Sequence, residues 1–142
     1  MITLFAVALL LASTTFANKN GEPSLQIINE FNRMFTNTTG ASWQEVSGFY
    51  RVTFNQAGHY LSAYYNASGE FASLSRNIST TMLPVLLQNE LKSKLSAAWV
   101  TESIELSRVT GTEYYVTVED ANTKTVFHSD RTVWTVYTRS QK

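Results

Sequence analysis

The chain has 142 residues, 44% of them hydrophobic and 13% aromatic, and 11 basic side chains balance 11 acidic ones to a net charge of zero. This is enough for one folded domain, too little for two independent ones, and the wrong composition for a disordered chain. Scattered Lys and Arg at zero net charge exclude the clustered basic surface that nucleic acid or an anionic membrane requires, and the absence of Cys excludes disulfides, a thiol nucleophile, a zinc-thiolate site and an iron–sulfur centre.

The first seventeen residues, MITLFAVALLLASTTFA, carry no charged side chain. The apolar run Ile2 to Ala12 is shorter than the roughly 20 residues that span a bilayer. Thr15-Phe16-Ala17 then places small residues where a signal peptidase reads. Residues 1–17 therefore read as a secretory signal peptide cut after Ala17, although no Lys or Arg lies near the start. The mature chain, 18–142, is expected to be periplasmic or secreted and to have no membrane span.

Asn18 to Pro23 is a polar leader. Pro23-Ser24 opens a helix, with Ser24 as N-cap. Ile27, Ile28, Phe31, Met34 and Phe35 recur at i, i+1, i+4, i+7 and i+8, one apolar stripe on a helical surface. Asn37-Thr38-Thr39-Gly40 ends it, and Trp43 to Val46 is a short strand or an irregular approach to a sheet. From Phe49 to Arg76 the chain alternates: Val52, Phe54, Leu61, Ala63 and Tyr65 stand between polar neighbours, the period of half-buried strands. Asn55-Gln56-Ala57-Gly58 and Asn66-Ala67-Ser68-Gly69 break this run. Each starts with an Asn that bonds its own backbone and ends with a Gly that tolerates positive φ.

Ser79-Thr80-Thr81 before Met82-Leu83-Pro84 signals a second helix. Its face is Leu83, Leu87, Leu91, Leu95 and Ala98. Ile104 and Leu106 then alternate with Glu105 and Ser107, Thr110-Gly111-Thr112 turns, and Tyr114 to Val118, Val126-Phe127 and Val133 to Thr138 complete a weaker copy of the first half. The expected architecture is α+β: a duplicated helix-plus-β-meander, with repeats at about 24–77 and 82–139, forming an antiparallel sheet with two helices packed on one face. Tyr50, Val52, Phe54, Tyr114, Val116 and Val118 are assigned to the helix side. Phe49, Tyr60, Tyr64, Tyr115 and Tyr137 then fall on the other face, and a one-residue slip would invert the assignment.

The helix with Phe31 and Phe35, Trp43 after the turn, the strand ending in Phe54, Ala63-Tyr64-Tyr65-Asn66-Ala67-Ser68-Gly69 and the Leu83-Pro84 helix start together resemble the PepSY-like family. These are small exported bacterial proteins related in fold to the beta-lactamase-inhibitor protein. The resemblance runs from about Leu25 to the C-terminus. Where the family's turn reads aromatic-Asp-x-Asp-Gly, this chain has Asn66 and Ser68, and the second copy decays to His128-Ser129-Asp130-Arg131. The resemblance implies a helix-backed antiparallel sheet and a role in binding or inhibiting another exported protein.

Catalysis needs a nucleophile, a base and an orienting group. His59 follows a turn glycine, and His128 is read as a solvated residue of the turn His128-Ser129-Asp130. Adjacent strand residues point to opposite faces, so those three cannot form a triad. No carboxylate spacing demands an acid–base pair, and no phosphate loop or zinc spacing is present. The chain is expected to be no enzyme and to have no catalytic residues, cofactor or metal. Its candidate protein-binding face is Phe49, Tyr60, Tyr64, Tyr115 and Tyr137, because Tyr and Trp are favoured interface anchors. Trp134 belongs with these sheet aromatics, and Trp43 and Trp99 are read as core. The preferred function is binding of an exported protein or peptide through the open sheet face. The alternative is a small-molecule or envelope-stress sensor with a pocket between helices and sheet.

Overall fold

A computed structural model describes residues 22–142; the segment 1–17 expected to be a signal peptide, and most of the polar leader, lie outside them. The elements are α1 (Leu25–Met34), β1 (Thr38–Val46), β2 (Phe49–Gln56), β3 (His59–Tyr65), β4 (Phe71–Asn77), a 3-10 turn (Thr80–Met82), α2 (Val85–Lys92), β5 (Trp99–Arg108), β6 (Gly111–Glu119), β7 (Thr123–Ser129) and β8 (Thr135–Gln141). The strands hydrogen-bond in chain order, β1 to β8, as one eight-stranded antiparallel sheet. The fold class is α+β. The chain divides into two compact units at Leu74/Ser75, inside β4.

In the first unit, Ser24 caps α1 by accepting a hydrogen bond from the Ile27 N–H. Ten residues are too few for a stable isolated helix, so packing must hold α1 in place. Phe31 supplies it. Its ring meets Phe54 at 5.0 Å and Trp43 at 5.5 Å, both edge-on, and Phe35 at 5.6 Å. Ile27, Val52, Ala63 and Tyr65 close the same core. Val52, Phe54, Ala63 and Tyr65 are the alternate residues of β2 and β3, as the period of two requires.

The turns pin that register. Ala57 and Gly58 both have positive φ, the conformation of a two-residue hairpin whose twist matches its strands, and Asn55 Oδ1 accepts from the Gly58 N–H. Asn66 Oδ1 accepts from the N–H groups of Ser68 and Glu70 and from the Ser68 hydroxyl. Gly69 has φ +89°, and a Cβ there would stand 3.4 Å from Gln26 of α1. The Gln26 side chain donates to the Ser68 carbonyl, tying this turn to the helix.

In the second unit, Leu83, Leu87 and Leu91 pack against Val116, Val118, Phe127 and Trp134. Trp134 is the anchor: its indole N–H donates to the Leu87 carbonyl at 3.0 Å, and its backbone N–H donates to Glu90 at 2.8 Å. Three expectations need correction. Ser79 caps the 3-10 turn, and α2 itself begins only after Pro84 and ends at Lys92, short of Leu95 and Ala98. β1 is a nine-residue strand that takes in Thr38 to Gly40, with a bulge between Thr39 and Ser42 where Gly40 adopts φ +67°. Trp99 is 52% exposed beneath the Lys142 ammonium, whereas Trp134 is buried. The reason is the face each one meets: Trp134, just before β8, bonds to Leu87 of α2, whereas Trp99 pairs with Glu119 and points away from the face on which Val100 and Val118 pack under the helix.

Phe31→Ala is expected to cost about 3–5 kcal/mol and Leu87→Ala about 2–5 kcal/mol, read by urea denaturation. Leu25→Ala, at a residue 76% exposed, should stay within about 0.5 kcal/mol of the parent. Equal losses at all three positions would contradict the packing described.

Candidate functional site

The register puts Phe49, Tyr60 and Tyr64 on the face of the first unit away from α1. Tyr64 pairs with Arg51 and Tyr60 with Asn55, while the helix-side residues pair among themselves as Val52 with Ala63 and Phe54 with Leu61. In the second unit, Tyr115 pairs with Ile104 and His128, opposite in direction to Val116 and Phe127. Tyr137 lies at the bulge in the β7–β8 pairing, its ring 5.9 Å from that of Tyr115. The alternation thus separates these five aromatics from the helix-side residues.

They are not equally available. Tyr60 is 78% exposed, and Phe49 and Tyr137 are half-buried, but Tyr64 and Tyr115 are buried. The expectation of an open face is corrected at those two positions. Tyr64 lies at the far end of β3 from the hairpin turn beside which Tyr60 is exposed, and the Tyr115 ring is covered by His128 and Tyr137. Nor do Phe49 and Tyr60 form one patch. Phe49 and Asn55, the partner of Tyr60, stand six residues apart on β2, roughly 20 Å at the strand rise.

The second unit gathers polar groups instead. Tyr115 donates its hydroxyl to Glu113 Oε2 at 3.0 Å, and the same oxygen lies 3.5 Å from Arg108 Nη2 and from His128 Nε2. The His128 ring stacks on Tyr115 at 4.8 Å. His128 is therefore a half-buried residue of β7, not a solvated turn residue, because β7 runs on to Ser129. No motif advertised this cluster; only the β6–β7 register brings Tyr115 opposite His128. Burial first, then the nearby Glu113 carboxylate, pushes the Tyr115 hydroxyl well above the ordinary tyrosine range. Burial does the same to Tyr65, whose hydroxyl points at the Met34 sulfur.

This arrangement neutralises a carboxylate and rigidifies a surface. It does not assemble a nucleophile with a base: the Ser129 hydroxyl accepts from the Arg131 N–H, and Ser129 points to the face opposite His128. His59 is exposed at the start of β3, in the other unit. Among the described residues no group of three His, Asp or Glu side chains is placed to hold a metal ion, and no helix is long and apolar enough to cross a membrane.

In alkaline titration followed at 295 nm, Tyr65 and Tyr115 should stay protonated until the fold opens. A raised folded pKa means their contribution to stability is fully present below the ordinary value of 10.0 and is lost as pH rises above it. Base unfolding should therefore release a late step, smaller by one tyrosine in Tyr115→Phe. A single step comprising every tyrosine below the unfolding transition would contradict the burial.

Three comparisons bear on kinship. No family model and no curated protein matches the sequence. Solved structures do. A DUF2874 family protein from Bacteroides uniformis superposes with a TM-score of 0.74 at 13% identity, over 83% of this chain and 88% of that one. A DUF2874 family protein from Bacteroides ovatus gives 0.73 at 16% identity, over 86% and 89%. A BLIP-like protein from Bacteroides fragilis gives 0.67 at 17% identity, over 90% and 89%. The chain shares their fold.

Proposed function

We propose that this chain is an exported, PepSY-like binding module that recognises another exported protein or peptide and performs no chemistry on it. The observation that carries the reading is Tyr60. A tyrosine 78% exposed on the face away from α1, beside a two-residue hairpin turn, presents a large amphipathic ring of the kind favoured as an interface anchor. The fold shared with a BLIP-like protein and the leader-like first seventeen residues support the same reading. The contact surface is narrower than the five aromatics together. Tyr60 is its anchor, and the buried Tyr64 supports the same face of β3.

The test is capture from a periplasmic extract of the source organism by the purified protein, with Tyr60→Ser as the paired variant. The substitution should leave the melting temperature unchanged, since the ring is solvated, and should weaken a captured partner by about 30-fold, the loss of one hot-spot ring. A partner retained equally by Tyr60→Ser and by the parent would remove the hairpin from the interface.

A further inference from the structure

A cleft of about 300 Å³ lies within the second unit, lined by Lys94, Ala98, Val118, Asp120, Thr123, Thr125, Phe127 and Arg139. Its floor is apolar, built from Ala98, Val118 and Phe127. Its rim carries two cations fixed at neighbouring points of one strand. The Lys94 ammonium sits 5.3 Å over the Phe127 ring, and Arg139 Nε donates to Thr125 Oγ1 at 3.2 Å. Thr125 and Phe127 are two residues apart on β7 and face the same way, so their side chains are spaced by about 7 Å. One carboxylate with a nitrogen on each oxygen spans about that distance.

Neither cation is fully engaged. Lys94 has Glu90 at 3.9 Å, beyond a hydrogen bond, and the other Glu90 oxygen is held by the Trp134 backbone N–H. Arg139 has no acidic partner among the described residues, and its outer guanidinium nitrogens are left for a ligand. The one carboxylate in the lining, Asp120, is turned away onto its own turn. It accepts from the N–H groups of Asn122 and Thr123 and from the Thr123 hydroxyl, so its charge is already met by donors.

We propose that this cleft binds a small carboxylate with an apolar stem, the carboxylate between Lys94 and Arg139 and the stem on Phe127, Val118 and Ala98. The volume is at the lower end for small-molecule sites, which favours a stem of a few carbons over a multi-ring ligand. Two sources present this chemistry: a lipid-derived acid and the free C-terminus of a peptide ending in an apolar residue. The site is independent of the Tyr60 surface and stands or falls without it.

Amide shift mapping of the purified protein by NMR tests it, with octanoate and acetyl-alanyl-leucine as probes and octan-1-ol and acetate as controls. Octanoate, the peptide or both should shift the amides of Ala98, Thr125, Phe127 and Arg139 saturably, and the tighter probe names the source. Octan-1-ol, which lacks the charge, and acetate, which lacks the stem, should bind at least about tenfold more weakly. Lys94→Gln and Arg139→Gln should each weaken the acid about tenfold, the loss of one charge-assisted hydrogen bond, and Lys94→Arg should restore most of it. Spectra otherwise superposable on the parent establish that each variant is folded. The proposal is overturned if octan-1-ol matches octanoate, if the shifts map outside the cleft, if both Gln variants bind like the parent, or if neither acid shifts these amides by about 10 mM, an order of magnitude weaker than a millimolar site.

Discussion

The packing of a short helix onto every second residue of a β-hairpin is the interaction on which the rest depends. α1 has ten residues and α2 eight, so neither persists without a sheet to lie on. Phe31 wedged among Phe54, Trp43 and Phe35 secures the first. Leu87, under the Trp134 ring and accepting its indole N–H, secures the second. Once Val52, Phe54, Ala63 and Tyr65 are drawn under α1, the period of two sends Arg51, Thr53, Ser62 and Tyr64 the other way. Every property of the opposite face, including which tyrosine meets solvent, descends from that choice.

Elements whose cause is local were legible in the sequence. The Ser24 cap, the Asn55-to-Gly58 and Asn66-to-Gly69 turns and the leucine face of α2 each rest on residues within a few positions of one another. The inward set of β2 and β6 was also legible, since alternation is a property of one strand. What escaped depended on partners distant in sequence. In the sequence Trp99 reads as core and Trp134 as an aromatic of the open face; the contact of Trp134 with Leu87 of α2 and the pairing of Trp99 with Glu119 reverse the two. Tyr64 and Tyr60 share a face, but burial follows their places along β3, which alternation does not encode. His128 looked like a turn residue because His-Ser-Asp favours turns, yet its pairing with Tyr115 holds it in β7. The cleft between Lys94 and Arg139 joins a post-helical lysine to the last strand, a pairing no local pattern signals.

Chemically, the molecule spends its polar groups on positioning. Tyr115, Arg108 and His128 converge on one Glu113 oxygen, Asp120 is consumed by its own turn, and Arg76 pairs with Glu105 at 2.8 Å. Such groups stiffen a scaffold; what projects from it is one exposed tyrosine on a hairpin in the first unit, and the second carries a cleft lined by Lys94 and Arg139. Both are features of shape and charge that need no reacting group.

The central claim is the register that divides the side chains of each strand between two faces, and the direct measurement is solvent paramagnetic relaxation of side-chain protons by a soluble gadolinium chelate. The account predicts strong attenuation at Tyr60, intermediate attenuation at Phe49 and Tyr137, and protection of Phe31, Phe54, Tyr65, Val116 and Trp134. A slip of one residue on β2 or β3 would invert the pattern, so Phe54 attenuated as strongly as Tyr60 would contradict the register and the surface built on it.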